Sequence, residues 1–72
     1  GIIEGLSPNE IKIIKNLKIH RGNRIGDISS KINITGINVY LRRLVDKGIL
    51  KVQNRGEYYI VDRILWEYIQ RK

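Results

Sequence analysis

Apolar residues along this 72-residue chain recur first at helical and later at alternating intervals, and the changes of period divide it into parts. Ile11, Ile14 and Leu17, with Ile13 beside them, fall three and four apart and predict a first helix over residues 8–19. Ser7-Pro8-Asn9-Glu10 marks its start. The Ser7 hydroxyl can accept from the N–H of Glu10, and the Glu10 carboxylate from the N–H of Ser7. Proline stands at the first helical position, where its missing donor costs nothing. Leu6 and Ile11 can close over this turn, and Arg21-Gly22-Asn23 ends the helix.

Ile25, Ile28 and Ile32 give a second, shorter helix over residues 25–32 with one narrow apolar stripe. Asn33-Ile34-Thr35 is the turn after it, with Thr35 the expected N-cap of the next helix. Ile37, Leu41, Leu44 and Val45 form the inward stripe of that third helix, over residues 36–47, and Gly48 can end it in the left-handed conformation. Its opposite face carries Thr35, Asn38, Val39, Arg42 and Asp46, with Arg43 at the edge. The period then shortens. Strands are predicted within residues 49–61, joined by Asn54-Arg55-Gly56, a tip that tolerates positive φ. Asp62 caps a last helix over residues 63–70, where Ile64, Leu65, Tyr68 and Ile69 are available for packing. The expectation is one α+β domain over residues 1–72: three helices, a two-stranded hairpin and a C-terminal helix, the order of parts in a winged helix-turn-helix.

Composition narrows the chemistry. With no cysteine there is no disulfide or thiolate metal site, and one histidine, His20, cannot build a zinc site. Stability must come from packing, for which fifteen isoleucines, stiff at χ1, are suited. The acidic residues are scattered rather than paired, and His20 has no Ser, Cys or carboxylate at a telling spacing, so no catalysis, metal or cofactor is expected. Fourteen Lys+Arg against seven Asp+Glu give a formal charge of +7. A small basic domain attracts polyanions: nucleic acid first, an anionic membrane second, an acidic protein third. Basicity for solubility alone is the plain alternative. No apolar run reaches the ~18 residues that span a bilayer, and no signal-peptide pattern occurs. The expected compartment is the cytoplasm, with no membrane partner. Gly1 in place of Met suggests a trimmed chain or an excised domain.

At Leu44-Val45-Asp46-Lys47-Gly48-Ile49-Leu50 the chain resembles the junction between the third helix and the hairpin of winged helix domains: apolar, charged pair, Gly, two apolar. Extended back through Tyr40-Leu41-Arg42-Arg43 and forward through Gly56-Glu57-Tyr58-Tyr59-Ile60-Val61-Asp62, it is similar to the C-terminal winged helix of the archaeal ATPase family, over residues 7–68. That resemblance implies a DNA-binding or protein-docking module appended to something else. No G-x-x-x-x-G-K-[ST] is present, so the ATPase activity is not implied.

On this expectation the third helix enters the major groove of double-stranded DNA. Arg42 reaches guanine or a phosphate, Asn38 reaches adenine, and Arg43 lies alongside. Lys51 and Arg55 are the candidates on the hairpin, the wing of such domains, and Lys31 for a backbone phosphate. Thr35 divides between cap and phosphate contact, with the cap favoured. Each also has a plainer reading. The arginines can be solvated charges, and Lys51 can protect an edge strand. The alternative function is protein docking, either to a second copy or to an adjacent ATPase domain, through the last helix with Trp66 and Tyr68.

Overall fold

Ser7 and Glu10 make the reciprocal bonds that start the first helix, α1 (Pro8–Lys15): the Glu10 N–H donates to the Ser7 hydroxyl at 3.2 Å and the Ser7 N–H to the Glu10 carboxylate at 2.9 Å. The computed structural model describes residues 5–71; the lead-in over residues 1–4 and Lys72 lie outside it. After α1 come β1 (Asn23–Arg24), α2 (Ile25–Lys31), α3 (Ile37–Asp46), β2 (Leu50–Gln53), β3 (Glu57–Ile60) and α4 (Arg63–Gln70). The architecture is α+β: four helices and a three-stranded antiparallel sheet in the order β1-β3-β2.

The sheet departs from the expected two-stranded hairpin. Asn23 pairs with Tyr58 and Arg24 with Glu57, so β1 extends the β2–β3 hairpin by a third strand. Two residues are too few to show alternation, and only the free edge of β3 reveals their role.

Helix α1 also ends at Lys15, four residues before the position its apolar spacing suggested. Its final carbonyls find partners outside the helix. Asn16 Nδ2 donates to Lys12 O at 2.8 Å. From α4, Gln70 Nε2 donates to Ile14 O and Lys15 O, and Trp66 Nε1 donates to Leu17 O at 2.9 Å. The groups a helix end leaves open are thus met by a helix almost fifty residues away. Leu17 stays buried although it is no longer helical.

Thr35 does not cap α3. The residue before the helix is Gly36, in the left-handed conformation at φ 71° and ψ 35°, with no side-chain cap bond. A capping side chain works from an extended backbone adjoining the first helical residue, and Thr35 stands one position too early. The other end is as expected: Gly48 follows at φ 78° and closes onto Val45 O. Asp62 caps α4, accepting from the Leu65 N–H at 2.9 Å.

The core lies between the helices and one face of the sheet. Ile13 and Ile14 of α1, Ile28 of α2 and Ile32 just after it, Leu41 and Leu44 of α3, Leu50 of β2, and Leu65 and Ile69 of α4 are buried together. Each contributes about 1.5–3 kcal/mol by leaving water. Tyr58, Ile60 and Trp66 pack against this cluster, which leaves alternate residues of β3, Glu57 and Tyr59, on the outer face.

Candidate nucleic-acid interface

Helix α3 displays the residues singled out in the sequence because its apolar stripe fixes its rotation. With Leu41 and Leu44 buried, Asn38, Val39, Arg42 and Asp46 face outward and are exposed. Thr35 is exposed just before the helix; its hydroxyl, released from capping, is available to a ligand. Arg42 Nε lies 3.7 Å from Asp46 Oδ1, with both side chains open to water, so this pair holds little of the arginine's charge. Arg43 sits on the flank, its guanidinium carbon 5.5 Å from the centre of the Tyr40 ring. That contact restrains a long side chain while leaving its donors outward.

The hairpin places its two cations differently. Residues 54–56 all have positive φ: 47° at Asn54, 49° at Arg55 and 81° at Gly56. Arg55 is therefore held at the tip in a conformation unfavourable to a side chain. Lys51 follows buried Leu50 along β2 and pairs with Tyr59. Alternation turns it to the outer face of the sheet, away from the core face on which Leu50 lies. Lys31 is also separate. It ends α2 and borders a cleft shared with Lys18 and Arg21, in which no α3 or hairpin residue takes part.

The structure therefore presents Thr35, Asn38, Arg42 and Arg43 on or beside the outward side of α3 and Arg55 at the hairpin tip, while Lys31 borders the cleft and Lys51 lies on the outer face of the sheet. Three residues were not singled out as contacts in the sequence. Val39 is 53 % exposed within the polar face of α3, where a methyl-bearing base edge is a suitable partner. Lys18, which a helix over residues 8–19 would have carried, lies with Arg21 in the loop after α1. The spacing of cations could not signal this, because the helix ends for tertiary reasons. Of the proposed docking pair on α4, Trp66 packs on the core and bonds to Leu17, whereas Tyr68 is more than half exposed.

His20 is exposed in the same loop, and the described residues contain no group of three or more His, Cys, Asp or Glu placed to hold a metal ion. No helix among the described residues is long and apolar enough to cross a membrane. Compared with protein-family models, with curated proteins and with solved structures, the chain matches none.

Proposed function

We propose that this chain is a winged helix domain that binds double-stranded DNA, either as a transcriptional regulator or as the DNA-binding module of a larger protein. The reading is carried by the outward face of α3. Asn38, Val39, Arg42 and Arg43 there combine an amide, an apolar contact and two guanidinium groups, the side-chain types that read base edges and phosphates in a major groove. The order of elements supports it, with β1 joining the edge of the hairpin and Arg55 projecting at its tip. The excess of positive charge supplies a sequence-independent attraction. In this reading α3 occupies the groove, Arg55 reaches the flanking backbone, and Lys51 and Lys31 make outlying phosphate contacts. The protein acts by binding alone, without catalysis or cofactor.

The test is a titration of isotope-labelled protein with random duplex DNA at low and then moderate salt, following backbone amides. Shifts over residues 35–43 and 51–55 that weaken steeply with salt are expected, because phosphate contacts release counterions. Still amides there at low salt would sink the proposal.

One observation favours a second reading, protein docking. Val61, Ile64 and Tyr68 are exposed along one side of α4 and its lead-in, and Ile64 is 79 % exposed. The substitution Ile64→Asp separates the two readings. It weakens a docking contact and leaves DNA affinity unchanged, whereas Arg42→Ala with Arg43→Ala does the reverse.

A further inference from the structure

The geometry points to a second anion site: we propose that the cleft between the α1–β1 loop and α2 binds the phosphate group of a phosphate ester. The cleft has a volume of about 240 Å³. Lys18, Arg21 and Lys31 line it, against one carboxylate, Asp27, an excess of two positive charges. Among the described residues no carboxylate pairs with any of these three cations. Three cations around one cleft, with a single carboxylate among them and no ion pair to it, repel one another, and an anion between them relieves that repulsion.

The loop that carries two of them is held in place from inside. Asn23 is buried; its Oδ1 accepts from the Lys18 N–H at 2.8 Å. Its Nδ2 donates to the carbonyls of Lys18, Arg21 and Tyr58 at 3.0, 3.2 and 3.0 Å. Next to it, Gly22 runs so close to the sheet that a Cβ would stand 2.9 Å from the Tyr59 ring. The backbone beneath Lys18 and Arg21 is thus set before any ligand arrives, which removes part of the ordering that binding otherwise requires.

Phosphate suits these donors. The arginine fork matches two phosphate oxygens, and lysines supply point charges around it. Asp27 disfavours a bare anion but accepts hydrogen bonds from the hydroxyls that a sugar phosphate carries. Such a group has two sources: a free nucleotide or sugar phosphate, or the backbone of a nucleic acid. The site stands whether or not α3 binds DNA, because its lining contains no residue of α3 or the hairpin.

Isotope-labelled full chain is titrated separately with inorganic phosphate, adenosine monophosphate and duplex DNA, with sodium chloride of equal ionic strength as the control. Saturable shifts over residues 18–23 and 27–31 are expected. Arg21→Ala with Lys31→Ala should weaken them by about tenfold or more, and Asp27→Asn should strengthen those seen with inorganic phosphate. A response to adenosine monophosphate that duplex DNA does not compete away assigns the free ester. A response to duplex DNA but to neither small probe assigns the backbone. No saturable shift with any probe, or drift matching sodium chloride, overturns the site. If DNA moves residues 35–43 while the cleft stays still under every probe, the cleft fails and the DNA proposal stands. If the cleft alone responds, the outcome is reversed.

Discussion

The Nζ of Lys47 lies 2.7 Å from Oε2 of Glu10, so the residue that ends α3 closes onto the first turn of α1. Glu10 is 2 % exposed and is the acidic half of its own helix cap. Lys47 also donates to Gly5 O at 2.8 Å. One charged pair therefore joins an N-terminal cap, a helix end 37 residues later and the entering chain.

Removing either partner tests this junction. Burial alone pushes the Glu10 carboxyl up, but the Lys47 ammonium and the bonds to Ser7 together outweigh it and hold the group below the ordinary glutamate value. Because the folded pKa is the lower one, the stabilisation is complete above that value and fades as pH falls through the folded pKa. Lys47→Met is expected to cost about 2 kcal/mol at neutral pH. That is less than a fully buried pair would lose, since Lys47 keeps over a third of its side chain in water. Urea unfolding from pH 7 to pH 3 should show the difference between Lys47→Met and the parent shrinking in acid. A difference independent of pH would refute the ionic role.

Trp66→Phe keeps most of the ring's packing but removes the donor to Leu17 O. The loss should be about 1 kcal/mol, seen as a melting temperature about 4–8 °C lower. An unchanged melting temperature would mean that water satisfies the carbonyl as well as the indole does.

At the hairpin tip, stability and binding should part company. Arg55→Gly relieves a left-handed arginine, with an expected gain of about 0.5 kcal/mol after the added chain entropy of glycine. If Arg55 reaches a phosphate, the same change weakens DNA binding and lowers the salt dependence by about one counterion. Calorimetry and a salt series on one variant read both effects. Greater stability with unaltered DNA binding would remove Arg55 from the proposed interface.

Asp46 offers a test in the opposite direction. It is the carboxylate beside Arg42 on the exposed face of α3. Asp46→Asn should leave stability nearly unchanged and raise DNA affinity about threefold at low salt, by removing a repulsion and freeing Arg42. A fall in affinity would mean that Asp46 orients Arg42 or itself accepts from a base.

Local chemistry made several parts of this protein readable from its sequence. The caps at Ser7–Glu10 and Asp62, the left-handed glycine at Gly48 and the positive φ at the hairpin tip all arise between residues a few positions apart. Apolar periodicity likewise fixed the rotation of α3, and with it the outward placing of Asn38, Arg42 and Arg43. Tertiary contacts decided the rest. Helix α1 stops where Gln70 meets its last carbonyls and Trp66 meets that of Leu17 just beyond. Asn23 becomes a buried hub because β3 offers an edge beside it, and that hub brings Lys18 and Arg21 to the same cleft as Lys31. Thr35 lost its cap because Gly36 took the left-handed turn into α3. Hydrogen bonds across three or four residues depend on the identities of near neighbours. A bond across 35 or 49 depends on where the whole chain has packed, which local spacing does not encode.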